Sequence, residues 1–286
     1  MTERRVVVGV SDSPANARTL AWAIGEAIAI GAELVVVRAD ENRRAVWGAA
    51  ARNSLRALEI VDRPLARAVA RAQARLGDDR VTIIVDRDPP GELLVRRAAF
   101  ADVLVLGAPR HAGWWARGST TYHVATRAPC PTVVIHEPAA PDGRGVGHPF
   151  QDHLVVGVDG SPAAQAALGF AFGYAAEHHY PLVAVTVTRH TDNDIWFDDT
   201  LLETHLATDP AAAQALADEL EPWHHKYPGV SLKRALVAGS PEEGLRRTSL
   251  GAALLVMGTT GTGPATLGSV SRGLIGHAGC PVAIVH

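Results

Sequence analysis

The sequence predicts an α/β chain of two tandem domains, each a five-stranded parallel sheet, doubly wound, with helices on both faces. Three observations carry this. First, the chain repeats itself. Val6-Val7-Val8-Gly9-Val10-Ser11-Asp12-Ser13-Pro14 returns as Val155-Val156-Gly157-Val158-Asp159-Gly160-Ser161-Pro162. Gly118-Ser119-Thr120-Thr121, followed by Ala128-Pro129-Cys130-Pro131, returns as Gly268-Ser269-Val270-Ser271, followed by Ala278-Gly279-Cys280-Pro281. Equivalent positions lie about 150 residues apart, the spacing of a duplicated domain rather than a short solenoid repeat. Second, the Val/Ile/Leu runs lack polar alternation, as in strands buried on both faces. Third, longer Ala-rich segments separate those runs, which makes the order β-α-β-α-β-α-β-α-β in each half.

In the first half the strands fall at residues 6–10, 34–37, 81–85, 103–106 and 132–135. From Pro14 to about Ile30 the apolar spacing is helical, with Leu20, Ala21, Ile24, Ala27 and Ile28 on one face. Ser13 can cap this helix, Pro14 suits its first turn, and Gly31 ends it. Residues 50–76 form an Arg-rich helical stretch interrupted by Pro64. Pro90-Gly91 opens a third helix and Gly118-Ser119 a fourth. The second half has strands at 154–158, 182–187, 232–237, 254–257 and 282–285, and its second helix spans roughly Ala211–Glu221. Proline, glycine and charge without periodicity mark residues 138–150 as a linker between domains at 1–137 and 151–286.

Composition narrows the function classes. A length of 286 residues suits two domains with their own cores. A net charge of −3 argues against a general nucleic-acid grip. No apolar run approaches a membrane span, and Thr2-Glu3-Arg4-Arg5 leads into a strand with no signal-peptide pattern, so a cytoplasmic location is expected. The two cysteines, one per repeat, are expected to be buried core thiols rather than a disulfide or a catalytic pair.

In an open parallel sheet the ligand sits beyond the carboxyl ends of the strands, where strand order reverses. The loops flanking that point follow strands one and four, and both are unusual here. After strand four the second half reads Met257-Gly258-Thr259-Thr260-Gly261-Thr262-Gly263-Pro264-Ala265-Thr266-Leu267-Gly268-Ser269-Val270-Ser271. Glycines let a backbone approach a ligand, and their N–H groups can form an anion-binding concavity. Gly268-Ser269 then starts a helix, whose free N–H groups favour a phosphate, with Ser269 and Ser271 as further hydroxyl donors. Asp159 belongs at the other end of such a ligand. A carboxylate suits ribose hydroxyls or adenine donors, or it is simply a turn residue capping the first helix.

These residues resemble the universal stress protein family, and the resemblance covers both halves nearly end to end. That family's hallmark is Gly-x-x-Gly, nine residues, then Gly-Ser/Thr against the ATP phosphates, with an Asp after strand one. The resemblance implies two Rossmann-like domains of the adenine nucleotide alpha hydrolase-like kind. It implies ATP, with Mg2+ held through the nucleotide phosphates. Gly157 and Asp159 would line the nucleoside pocket, with Val187 near the adenine. Met257, Gly258, Gly261, Gly268, Ser269, Val270 and Ser271 would follow the phosphate and ribose contacts. The first-half counterparts are Gly9, Ser11, Ala39, Gly107, Gly118, Ser119 and Thr120. The chain also departs from the pattern. Only six residues separate Gly261 from Gly268, a loop three shorter than the hallmark, and Gly263 can partly compensate. In the first half Arg110 replaces the second glycine, seven residues precede Gly118, and Ser11 replaces the aspartate. Arg110 and Arg117 either supply charge to a phosphate or are solvated loop residues.

Other features carry less. Trp114-Trp115 is read as packing over the neighbouring helix, with a partner surface as the alternative. His190-Thr191-Asp192-Asn193-Asp194 with Asp198-Asp199 lacks the glycine and terminal glutamate of a calcium loop and is read as a solvated acidic loop. His224-His225 are adjacent and do not share a helix face, which disfavours joint chelation. His136 and His286 are read as surface or dimer-interface residues. No nucleophile elbow, zinc signature or Gly-Lys-Ser/Thr motif occurs. The expectation is therefore an ATP-binding stress-response regulator acting through nucleotide-dependent conformation or partner binding. A nucleotide-free interaction scaffold and a slow ATPase are the alternatives. A pseudo-dimer of the halves, a homodimer and an unknown regulatory protein partner are expected, with no nucleic acid and no membrane.

Overall fold

The computed structural model describes residues 4–11, 16–39, 55–108, 119–136, 150–188, 195–198, 209–259 and 267–286. The chain divides into two compact units, 1–135 and 136–286.

In the first unit, β1 (Arg5–Val10), β2 (Glu33–Ala39), β3 (Val81–Asp86), β4 (Val103–Gly107) and β5 (Thr132–Ile135) form a parallel sheet in the order β3-β2-β1-β4-β5. Order reverses between β1 and β4, both of which leave Val7, Val8, Leu104 and Val105 buried on either face. The helices are α1 (Asn16–Ala29), α2 (Leu55–Val61), α3 (Arg63–Leu76), α4 (Pro90–Ala98) and α5 (Thr120–Arg127). The start expected at Ser13-Pro14 lies outside the described residues. The break in the Arg-rich stretch comes at Asp62, before Pro64. Asp62 accepts a hydrogen bond from the Leu65 N–H at 3.0 Å and caps α3. Pro64 sits in the first turn, where its missing N–H costs nothing.

In the second unit, β6 (Leu154–Gly157), β7 (Leu182–Thr188), β9 (Leu232–Ala238), β10 (Leu254–Gly258) and β11 (Val282–Val285) repeat that parallel order as β9-β7-β6-β10-β11. One strand is additional. β8 (Ile195–Asp198) runs antiparallel to β9 at the sheet edge. It falls inside the stretch read from sequence as a solvated acidic loop, and it covers backbone groups that β9 would otherwise leave unpaired. The helices are α6 (Pro162–His178), α7 (Pro210–Lys226), α8 (Pro241–Thr248) and α9 (Ser269–His277).

α6 is the central helix of this unit. It buries Ala164, Ala167, Leu168, Ala171 and Phe172, the i, i+3, i+4 stripe of a helix laid on a sheet. Phe172 is fully buried and stacks with Trp223 at 6.4 Å and Tyr227 at 6.0 Å, which locks α7 onto α6. Such aromatic pairs contribute about 0.5–1.5 kcal/mol each beyond their buried area. Gly169 makes the approach possible: a Cβ there would lie 2.7 Å from the Trp223 ring.

The two units solve one helix contact in opposite ways. Where α4 meets α5, Gly91 faces His123, whose Cδ2 would lie 2.8 Å from a Cβ at 91. At the equivalent contact of α8 with α9, Glu242 is the large residue, and a Cβ on Gly273 would collide with its carboxylate.

Candidate functional site

At the carboxyl ends of β6, β7 and β10, the second unit holds a cavity of about 410 Å3. This is within the size range of small-molecule sites, roughly 300–1,000 Å3. Its floor is the turn from β6 into α6. Asp159 Oδ1 accepts from the Ser161 N–H at 3.1 Å, and Ser161 Oγ accepts from the Ala164 N–H at 3.1 Å. Gly160 between them has φ +76°, a left-handed conformation that side chains disfavour. Asp159 therefore shapes the turn and lines the cavity, while the cap of α6 is Ser161 and not Asp159.

One wall is the end of β7, with Val185, Thr186 and Val187. The opposite wall is the end of β10, with Met257 and Gly258, and the start of α9, with Val270 and Ser271. Gly258 permits direct contact of strand and helix. A Cβ there would fall on the backbone C and O of Ala163. Seven of the residues expected from sequence thus meet around one space: Gly157, Asp159, Val187, Met257, Gly258, Val270 and Ser271.

The four remaining second-half expectations stand as follows. Gly261 and Gly263 lie outside the described residues. Gly268 is the N-cap of α9, with extended backbone (φ −58°, ψ 164°) and no side-chain cap. Ser269, the first residue of α9, is exposed. Ser271 corrects one expectation. Its hydroxyl is buried and donates to the Gly258 carbonyl at 3.1 Å, so it braces β10 against α9 rather than offering a free donor. The basic group at this corner, Arg272, went unnoticed in the sequence; its Nη2 donates to the Leu267 carbonyl at 3.1 Å.

Sequence reasoning also missed a whole wall. α7 contributes Ala212, Ala215, Leu216 and Glu219. Glu219 is half-buried, and its Oε2 accepts from Gln165 Nε2 at 3.0 Å. Burial, and then the charge of Asp159, push its pKa above the ordinary carboxylate value, against the hydrogen bond from Gln165.

In the first unit, Gly9 ends with Leu106 and Leu94 packed where its Cβ would be. The Ser11 N–H donates to Asn16 Oδ1 at 3.1 Å. Ala39 ends β2 and Gly107 ends β4, the latter accepting from Thr121 Oγ1 at 2.9 Å, the mirror of Ser271 on Gly258. Ser119 caps α5 through Tyr122 N at 3.2 Å, and Thr120 is its first residue. Gly118, Arg110, Arg117 and Trp114-Trp115 lie outside the described residues. Strand register makes Arg38 the counterpart of Thr186. Arg38 is buried 4.0 Å from Asp62, so a guanidinium occupies the position that in the second unit is a cavity-lining hydroxyl.

Ser161, Thr186 and Ser271 are committed to backbone partners, Thr186 donating to the Val158 carbonyl at 3.1 Å. The described lining contains no histidine, lysine or cysteine. Both cysteines are buried free thiols whose pKa burial pushes up to about 12. Among the described residues no three His, Cys, Asp or Glu side chains cluster as a metal site. No helix among them is long and apolar enough to cross a membrane.

The universal stress protein family model matches residues 3–136 and again 151–286. A universal stress protein of Mycobacterium tuberculosis is 29% identical over 291 residues, covering 98% of this chain and 95% of its own length. One from Mycolicibacterium smegmatis is 27% identical, covering 99% and 97%. Among solved structures, a universal stress protein from Archaeoglobus fulgidus matches with a TM-score of 0.66 at 16% identity, covering 98% and 95%, which is a likeness of fold.

Proposed function

Because the chain belongs to the universal stress protein family through both of its halves, we propose that its second domain binds ATP and that the bound nucleotide sets the conformation or partner choice of a stress-response regulator. The observation that supports this best is the polarity of the cavity. At one end, the N-terminus of α9 begins at a glycine that adds no side-chain cap, and helix N–H groups and dipole favour a phosphate. At the other end stand carboxylates, Asp159 and Glu219, which accept hydrogen bonds and repel phosphates. A ligand anionic at one end and rich in N–H and O–H donors at the other, such as a nucleotide, matches both ends. Gly258, Val270 and Ser271 would flank the phosphates, and Val187 the base. Magnesium would be carried on the phosphates, where it neutralises part of their charge. A cytoplasmic site of action and a protein partner belong to the same reading.

Mass spectrometry of nucleotide released from purified protein, followed by calorimetry with ATP in the presence and absence of EDTA, tests the proposal. Co-purifying adenine nucleotide, or micromolar binding that EDTA weakens, supports it. Protein that neither carries nor binds nucleotide overturns it in favour of a scaffold. Release of ADP abolished by Gly258→Ala would redirect it to a slow ATPase.

A further inference from the structure

The α7 wall of the cavity carries a single ionisable side chain, Glu219, one turn beyond Ala215 and Leu216 on the same face. This carboxylate is held from behind by a directional relay. Trp223, seated against Gly169, donates through Nε1 to Gln165 Oε1 at 3.1 Å. Gln165 Nε2 in turn donates to Glu219 Oε2 at 3.0 Å. An indole N–H can only donate and a carboxylate can only accept, so the amide of Gln165 has one permitted orientation. The second oxygen, Oε1, is left over the β6–α6 turn, 3.4 Å from where a Cβ on Gly160 would stand.

We propose that Glu219 is a specificity-determining residue that presents Oε1 as an acceptor to an O–H or N–H donor on the nucleoside part of the ligand, with Gln165 and Trp223 as positioning residues that fix which atom faces the cavity. This rests on the nucleotide reading of the site. Two groups of an adenine nucleotide carry such donors, the ribose hydroxyls and the exocyclic amine.

The relay makes the proposal sharply testable. In Glu219→Gln, Gln165 still donates backwards, so the new side chain must turn its carbonyl oxygen to Gln165 and its NH2 into the cavity. Shape is retained while an acceptor becomes a donor. In the double variant Gln165→Glu/Glu219→Gln, position 165 accepts from both Trp223 and residue 219. The carbonyl of residue 219 then faces the ligand again, at unchanged net charge.

ATP, 2′,3′-dideoxy-ATP and inosine triphosphate, each with magnesium, are titrated calorimetrically into the wild type and both variants. Thermal unfolding checks that each is folded. Glu219→Gln is expected to weaken ATP about ten- to a hundredfold, the range of a hydrogen bond to a charged group. The double variant should recover much of that loss. The analogue lacking the donor should bind the wild type weakly and be no weaker in Glu219→Gln, which identifies the donor as sugar or base. Unchanged ATP affinity in folded Glu219→Gln overturns the role of Glu219 alone. Lost affinity that the exchange does not recover overturns the relay. A wild type that binds none of the three nucleotides overturns the nucleotide reading itself, and this inference with it.

Discussion

Gly268→Asp should move stability and ligand affinity in opposite directions. Gly268 caps α9 with extended backbone that any residue adopts, and it supplies no side-chain acceptor. Aspartate there can accept from the first-turn N–H groups and complement the helix dipole. Capping and dipole together are worth a few tenths to about 1 kcal/mol over glycine. For a domain of this size that raises Tm by about 1–4 °C. The same carboxylate would face the bound phosphates. Two unit charges about 4 Å apart repel by roughly 1 kcal/mol in water and about 4 kcal/mol at an effective dielectric near 20. ATP affinity should therefore fall about tenfold to a thousandfold. Gly268→Asn is the control, because it caps without charge and should keep near-wild-type affinity. Calorimetry and thermal unfolding on the three proteins decide the matter. ATP binding by folded Gly268→Asp at wild-type strength would show that no phosphate sits at α9, and a drop in Tm would show that the capping argument is wrong.

Gly258→Ala forces a Cβ onto the Ala163 backbone and should cost about 1–3 kcal/mol by overpacking, measured as a lower denaturant midpoint; an unchanged midpoint contradicts the contact. With pKa values pushed to about 12 by burial, Cys130 and Cys280 should resist thiol reagents in the native protein at neutral pH and react on unfolding, whereas rapid native labelling would place them outside the core. The raised pKa of Glu219 has a definite sign. The folded state keeps a proton that the unfolded chain releases near 4.5, so stability should fall as pH rises from there through the folded value. Unfolding curves across that window should lose this component in Glu219→Gln, and identical slopes in both proteins would remove the effect from Glu219.

The parallel strands were readable because Val6–Val8 or Leu254–Val256 must be apolar on both faces, a pattern few other elements share. The β6 and β10 ends of the cavity were readable because duplication marks them twice. β8 was not: the acidic residues on either side point to a loop, while Ile195–Asp198 pair along the edge that β9 offers. The α7 wall was equally invisible. Ala212, Ala215 and Leu216 look like any core-facing helix stripe, and Glu219 lines the cavity only because Phe172 and Gly169 bring α7 across the β6–α6 turn. Ser271 was recognised as a site residue, but its commitment to Gly258 depends on a spacing set by tertiary packing.

The exchanged glycines of the helix contacts constrain how the halves can trade sequence. Gly91 with His123, and Glu242 with Gly273, are two complete solutions to one steric problem. A crossover between the repeats falling between the two helices would join a large residue to a large one, or a glycine to a glycine. The first product clashes and the second leaves a void. Each half thus keeps its own matched pair, and the halves differ in the same way where Arg38 of the first stands at the position of the cavity-lining Thr186 of the second.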